Sequence, residues 1–176
     1  MGSKNNLLNF RNYQAVINPC SLSVGASYGG GVIVHFFTSS EPGYIAGECH
    51  GIISSNTNQS TGIVWSITNT SIPSAQNSNI GYGKANTDAI VASQGSGTYA
   101  AKVCYDLNFN GYTDWYLPST WELSTVNFNS PAYTPSVSYW TSTEVSSATT
   151  MASALLTSFT QQPKTSTYYI MAIRSF

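Results

Sequence analysis

Short apolar runs separated by long polar stretches dominate the chain. Residues 32–37 form the clearest run, a β-branched and aromatic segment that is typical of a buried strand. The same reasoning predicts short strands at residues 44–46, 51–53, 63–65, 139–141, 151–159 and 168–173. The Ser-, Thr- and Asn-rich stretches 54–61 and 66–79 are predicted to be loops.

Helical spacing appears in the middle of the chain. Its apolar positions recur at i, i+3, i+4 and i+7 and are Ala100, Val103, Cys104 and Leu107. This pattern predicts a helical region over residues 85–107, interrupted by the Gly-Ser-Gly sequence at 95–97. We expect residues 86–88, Asn-Thr-Asp, to form its N-cap region.

A second helix is predicted to start at Ser119. Ser119 and Glu122 have the spacing of a capping box, in which each side chain accepts a hydrogen bond from the backbone of the other residue. We expect its apolar face to comprise Trp121, Leu123, Val126 and Phe128. The pattern as a whole predicts an α+β domain with two helices packed on short, irregular antiparallel strands.

The chain divides into two predicted parts. Residues 1–24 begin with Met-Gly-Ser-Lys, which is typical of a tag remnant, and continue into a candidate neck. Positions 10, 13 and 17 of this neck share one helical face, so it is a candidate trimer-forming helix. Residues 25–176 are predicted to form the binding domain.

Charge is scarce in this sequence. Six Lys/Arg and seven Asp/Glu make up only 7% of the chain, against about 25% in an average domain. Neutral polar residues replace them, with 27 Ser, 19 Thr and 15 Asn. The scattered cations argue against a nucleic-acid partner, and no apolar run is long enough to span a membrane. This composition favours a secreted or cell-surface protein.

The three cysteines leave their chemistry open. Cys20, Cys49 and Cys104 are odd in number, so at most one disulfide forms within the chain. Their spacing matches no zinc motif. Buried, inert thiols are the simplest interpretation.

One acidic segment resembles the first part of a calcium-binding loop. Oxygen-bearing side chains stand at its positions 1, 3, 5 and 9, namely Asp106, Asn108, Asn110 and Asp114. Calcium is therefore a candidate ligand, although Leu117 occupies the position of the usual bidentate Glu. The alternative is an ordinary helix-ending turn at Asn110 and Gly111.

No catalytic residue is assigned. Residues 25–29 match G-x-S-x-G, but a strand rather than a helix is predicted after Ser27, so the segment lacks the context of a nucleophile elbow. The tryptophans Trp65, Trp115, Trp121 and Trp140 could stack on sugar rings, but we expect three of the four to lie in the core.

Several motifs occur together in a familiar order. They are Gly-Tyr-Thr-Asp-Trp-Tyr-Leu-Pro-Ser at 111–119, Tyr-Trp-Thr-Ser-Thr-Glu at 139–144 and Ala-Ile-Arg-Ser-Phe at 172–176. From about residue 29 to the end, the chain resembles a bacterial extracellular domain family with a GYxDWxLPSxxEL hallmark, found in the C-terminal domains of collagen-like adhesins. This chain has Tyr116 where the family usually has Arg.

The resemblance implies a C-type-lectin-like fold and a homotrimer. It also implies a non-enzymatic adhesin that binds sulfated glycosaminoglycans, with no cofactor required. Within the motifs, Trp115, Pro118 and Trp140 are expected to pack, and Arg174 to form a buried ion pair.

Sulfates are held by Lys and Arg through charge-assisted hydrogen bonds. The candidate ligand-binding residues are therefore the cations Lys84, Lys102, Lys164 and Arg11. Because there are so few, we expect binding to depend on clustering or on trimerisation. Two alternatives remain: a cysteine-dependent enzyme on a similar fold, using Cys49 and Cys104, and a purely structural trimerisation cap.

Overall fold

The computed structural model describes residues 17–145, 151–155 and 158–176. Arg11 and most of the predicted neck lie outside these residues. The helices are α1 (Gly83–Gln94), α2 (Ala100–Tyr105) and α3 (Thr120–Asn129). The strands are β1 (Ser27–Tyr28), β2 (Gly31–Phe36), β3 (Gly51–Ser54), β4 (Ser60–Val64), β5 (Tyr139–Glu144), β6 (Met151–Leu155), β7 (Phe159–Pro163), β8 (Thr167–Ile170) and β9 (Ile173–Ser175).

The strands form two sheets. The first has the order β1-β2-β3-β9 and the second the order β4-β8-β5-β6-β7. Neighbouring strands are antiparallel except β5 and β8, which pair in parallel where Tyr139 lies opposite Tyr169. The α+β class is confirmed. The predicted strand at 44–46 is wrong, because these residues lie in turns and are exposed.

The described part of the chain contains three α-helices rather than two. Gly95 separates α1 from α2, because it adopts a positive φ of 68° and its amide bonds back to Val91. Helix α1 also starts earlier than predicted, at Gly83. Asn86 and Thr87 are not cap residues: both are buried, and they hydrogen-bond to Asn77 and Leu117 in neighbouring loops.

Helix α3 begins with the predicted capping box. The hydroxyl of Ser119 accepts from the Glu122 amide, and Oε2 of Glu122 accepts from the Ser119 amide at 2.7 Å. Leu123 and Val126 are buried as expected. Trp121 and Phe128 are 51% and 79% exposed, so the predicted apolar face is wrong for these two. They are seven residues apart and therefore share the opposite side of the helix.

The core lies between the sheets and the helices, with α1 packed on β5 and α3 packed on β2 and β5. Trp65, Trp115 and Trp140 are buried in it, which confirms that three of the four tryptophans are internal. Within the described ranges, no helix has both the length and the apolar character needed to cross a bilayer.

Candidate functional site

The cations of the described part are each bonded to a carboxylate. The pairs are Lys84–Asp88, Lys102–Asp106, Lys164–Glu144 and Arg174–Asp114. They differ greatly in exposure, and exposure decides which of them can meet a ligand. The cations that the sequence predicts to bind a ligand therefore differ in their access to one.

Lys84 and Lys102 come together around one aromatic ring. The Nζ atoms of both lysines lie 5.7 Å from the ring centroid of Tyr105, which is itself 44% exposed. Lys84 belongs to α1 and Lys102 to α2, so packing of the two helices creates the cluster. Each lysine is paired with an acid four residues further along, Asp88 or Asp106. We call these five residues the lysine–tyrosine cluster.

The prediction that Lys164 contacts a ligand is corrected by its burial. Its side chain is 0% exposed, and Nζ lies 2.5 Å from Oε1 of Glu144. Nζ also donates to the carbonyl of Thr70 at 3.0 Å and lies 4.8 Å from the ring centroid of Trp65. A buried ammonium needs such partners to offset its lost hydration. Lys164 is therefore a structural residue.

Arg174 forms an ion pair, as the resemblance implied, but the pair is not buried because the Asp114 side chain is 50% exposed. Its Nε and Nη2 atoms donate to the two carboxylate oxygens of Asp114 at 2.7 and 2.8 Å. The guanidinium lies 4.1 Å from the ring centroid of Tyr112, and its side chain is 11% exposed. The hydrogen bonds from Arg174 hold the pKa of Asp114 below its usual range. This arrangement joins β9 to the loop before Trp115.

Three of the four proposed calcium ligands, Asp106, Asn110 and Asp114, are engaged within the protein. Asp106 pairs with Lys102, and Asp114 pairs with Arg174. Asn110 donates to the carbonyl of Gly30 at 2.8 Å and has a positive φ of 51°, as the turn alternative requires. Across the described residues, no group of three or more His, Cys, Asp or Glu side chains is placed to hold a metal. Calcium binding stays a prediction.

Cys20 and Cys49 form a disulfide, and Cys104 is a buried free thiol. Burial raises the pKa of Cys104 far above its usual range. The enzymatic alternative needs Cys49 and Cys104 as a reactive pair. In the structure Cys49 is instead bonded to Cys20. Disulfides are typical of proteins in oxidising, extracytoplasmic compartments.

A groove of about 380 Å³ opens near the start of α3 and was missed in the sequence. It is lined by exposed or half-buried residues from three segments, chiefly Trp121, Tyr82, Asn79, Pro42, Glu41 and Ser40. We call it the Trp121 groove. Its sequence signal was the seven-residue spacing of Trp121 and Phe128, which puts both on the side of α3 away from Leu123.

Glu122 holds two walls of the groove together. Its Oε1 accepts from the amide of Gly81 at 2.9 Å, and its Oε2 accepts from the amide of Ser119. A Cβ atom at Gly83 would lie 2.1 Å from Oε2, so this close approach requires glycine. Burial raises the pKa of Glu122 to about 7, although hydrogen bonds from Ser119 and Gly81 act in the opposite direction.

Two further hydrogen bonds support the same junction. The amide of Trp121 donates to the carbonyl of Ser78 at 2.9 Å, and the Ser119 hydroxyl donates to the carbonyl of Asn79 at 2.8 Å. The indole of Trp121 packs edge-on against Phe159, with ring centroids 6.0 Å apart. The loop before α1 and the first turn of α3 are therefore fixed relative to each other.

The third wall is the turn after β2, and Glu41 organises it. Oε2 of Glu41 accepts from the Thr38 amide at 2.7 Å and lies 2.8 Å from Nε2 of His35. Burial raises the pKa of Glu41, but the hydrogen bonds from Thr38 and His35 outweigh burial and the pKa is lowered. Glu41 is consequently a carboxylate at neutral pH.

Comparison with known proteins finds a likeness in structure only. No protein-family profile and no curated protein matches the chain. Among solved structures, a fimbrial protein from Bacteroides ovatus ATCC 8483 is similar, with 15% sequence identity and a TM-score of 0.55. The match covers 81% of this chain and 43% of the fimbrial protein's chain, so this chain spans less than half of that protein. At this identity the likeness shows a shared fold.

Proposed function

We propose that this chain is a non-enzymatic adhesion domain, secreted or on the cell surface, that binds sulfated polysaccharide through the lysine–tyrosine cluster. The disulfide between Cys20 and Cys49 supports an extracellular location. The fold shared with a fimbrial protein and the motif resemblance to collagen-like adhesins support adhesion as the role. A C-type-lectin-like fold and a homotrimer are part of the same proposal.

The observation that carries the proposal is the position of two lysines on one exposed tyrosine. Lys84 is 47% exposed and its partner Asp88 is 46% exposed. Exposed ion pairs of this kind contribute only about 0.2–1 kcal/mol. A sulfate group can therefore replace the carboxylate at little cost, whereas it cannot reach the buried Lys164.

The cluster also limits the affinity of one domain. Asp88 and Asp106 balance the charges of Lys84 and Lys102, so one copy presents little net positive charge. A polymer that spans several copies gains effective concentration without any new contact. The proposal therefore requires a multivalent assembly, and a homotrimer would supply it.

Binding to immobilised heparin, measured over a range of NaCl concentrations, tests the proposal. We expect retention that weakens steeply with salt, because screening acts on exposed charges. The double substitution Lys84→Gln and Lys102→Gln is expected to abolish retention. The matched double substitution Asp88→Asn and Asp106→Asn is expected to strengthen it.

The two double variants make the result decisive, because one removes the two positive charges of the cluster and the other removes its two negative charges. Retention that is insensitive to salt, or equal in both double variants, would show that the cluster does not bind sulfate. Sedimentation velocity on the full chain measures the oligomeric mass, and a monomer that still binds heparin tightly would contradict the requirement for a trimer.

A further inference from the structure

The Trp121 groove differs in chemistry from the lysine–tyrosine cluster. The residues that line it include one carboxylate, Glu41, and no Lys or Arg. Sulfated or phosphorylated ligands are therefore disfavoured there, because a negative ligand would meet Glu41 without a cation. The lining instead combines aromatic rings with hydroxyl, amide and carboxylate groups, which is the combination that recognises an uncharged sugar.

Trp121 is the exposed tryptophan of the described chain. Trp65, Trp115 and Trp140 are buried, and their indole N–H groups donate to backbone carbonyls at 2.7–3.3 Å. Trp121 is 51% exposed, and no described residue accepts a hydrogen bond from its indole N–H. The exposed part of its indole and its N–H donor are therefore available to a ligand.

The apolar face of a pyranose ring is a row of C–H groups that packs on an aromatic ring. Trp121 provides such a ring, and Tyr82 on the adjacent wall, 36% exposed, provides a second aromatic surface. Burying an aromatic face against another apolar surface is favourable because both lose contact with water. The volume of about 380 Å³ accommodates one or two sugar units.

Polar groups around the groove match the hydroxyls of a sugar. Oε2 of Glu41 is occupied by Thr38 and His35, so the carboxylate is held in one orientation. The Glu41 side chain is 16% exposed, and a ligand hydroxyl can donate to the exposed part of its carboxylate. Asn79 and Ser40 add an amide and a hydroxyl to the lining.

We propose that the Trp121 groove binds one or two pyranose units of an uncharged polysaccharide, stacked on Trp121 and hydrogen-bonded to Glu41 and Asn79. This inference goes beyond the proposed function, since it assigns a different ligand class to a different surface. The amides of Gly81 and Ser119 donate hydrogen bonds to Glu122, so the loop before α1 and the first turn of α3 are already fixed in the unliganded chain. Binding is therefore not opposed by the ordering of a loop.

Titration of the isotope-labelled chain with cellohexaose, laminarihexaose, mannohexaose and chitohexaose, followed by amide and indole NMR signals, tests the proposal. We expect at least one oligosaccharide to shift the Trp121 indole signal and to leave the signals of Trp65, Trp115 and Trp140 unchanged. Trp121→Ala is expected to weaken binding at least about tenfold. Phe128→Ala is the matched control, because Phe128 is exposed on the same helix and outside the groove lining.

The outcomes separate this site from the sulfate-binding cluster. We expect uncharged oligosaccharides to bind equally at low and high salt and to bind the Lys84→Gln and Lys102→Gln double variant normally. No shift with any of the four oligosaccharides at about 10 mM would overturn the proposal, as would binding that Trp121→Ala leaves intact. If Trp121→Ala instead lowers the oligomeric mass and no oligosaccharide binds, the groove is an interface between copies and the proposal is wrong.

Discussion

The ammonium nitrogen of Lys164 lies 2.5 Å from Oε1 of Glu144, and both side chains are inaccessible to solvent. Glu144 also accepts hydrogen bonds from the amide of Ile72 at 2.8 Å and from Gln76 at 2.9 Å. These hydrogen bonds therefore link the long polar loop after β4, through Ile72 and Gln76, to Glu144 of strand β5. Burial raises the pKa of Glu144, but the hydrogen bonds from Lys164, Gln76 and Ile72 outweigh it and the pKa is lowered.

We expect Lys164→Met to lower the free energy of unfolding by about 3 kcal/mol at neutral pH, because Glu144 is then left as a buried charge without its cation. Urea denaturation measures this. The loss should be smaller at pH 4, because without Lys164 burial favours protonation of Glu144 and the protonated carboxyl leaves no unpaired charge. Lys84→Met, at an exposed pair, is the control and should cost less than about 1 kcal/mol. Equal stability of the Lys164→Met variant and the unmodified chain at neutral pH would contradict this role.

Glu122 lowers the stability of the folded chain as the pH rises, whereas Glu144, whose pKa is lowered, lowers it as the pH falls. Its pKa is raised from 4.5 to about 7 in the folded chain, so the folded state binds the proton more tightly than the unfolded state does. Its stabilising contribution is complete below pH 4.5 and is lost as the pH rises to about 7. We expect a loss on the order of 3 kcal/mol from this group.

Urea denaturation at pH 5 and pH 8 tests the expected effect of Glu122. Glu122→Gln is the matched variant, since it keeps one acceptor oxygen of the capping box and does not titrate. The variant should show a smaller difference between the two pH values than the unmodified chain shows. An unchanged difference would mean that Glu122 titrates near its ordinary pKa in the folded state. His50 has a pKa raised by Glu48 and contributes equally in both proteins.

Reduction of the disulfide should destabilise the chain without unfolding its core. Cys20 and Cys49 are 29 residues apart in sequence, and opening a loop of this size costs about 3–4 kcal/mol in the chain-entropy description. Denaturation with and without dithiothreitol measures the cost. The double variant Cys20→Ser and Cys49→Ser should match the reduced chain and should not respond to dithiothreitol.

Thiol labelling of the oxidised, folded chain at neutral pH should be negligible, because Cys104 is buried and its pKa is raised by burial. Labelling after denaturation should reveal one thiol per chain, that of Cys104. A thiol that reacts rapidly in the folded state would revive the cysteine-dependent enzyme as an interpretation.

Arg174→Lys should lower the melting temperature although it keeps the charge. Lysine cannot reproduce the two parallel hydrogen bonds to Asp114 or the stacking on Tyr112. We expect a loss of about 1–2 kcal/mol, reduced from the value of a buried pair because Asp114 is 50% exposed. Calorimetry measures the change, and an unaltered melting temperature would indicate that the paired charge alone matters.

Two local signals in this sequence predict the structure correctly. The capping box of Ser119 and Glu122 needs only four consecutive residues, and it is present as predicted. The break at Gly95 was visible for the same reason. The burial of Lys164 was not predictable in this way, because its partner Glu144 lies 20 residues away and Trp65 directly follows β4.

The Trp121 groove was not predictable from the sequence either. The sequence analysis predicts that Trp121 lies on the apolar face of α3 with Leu123 and Val126. Whether it faces inward depends on which side of α3 meets the sheet, and that is set by β2 and β5. The groove itself needs the turn around Glu41, the loop at Asn79 and the start of α3, which are far apart in the chain.

The capping box at the start of α3 has a consequence for how ligand preference can change. The residues that hold the groove together, Glu122 and Ser119, are fully buried, whereas Trp121 and Tyr82 project from the frame that these residues build. The side chains that stabilise the groove are thus different from the side chains that a ligand would contact. At the proposed sugar site, we therefore expect that exchanging Trp121 or Tyr82 changes the ligand preference while Glu122 and Ser119 still support the fold.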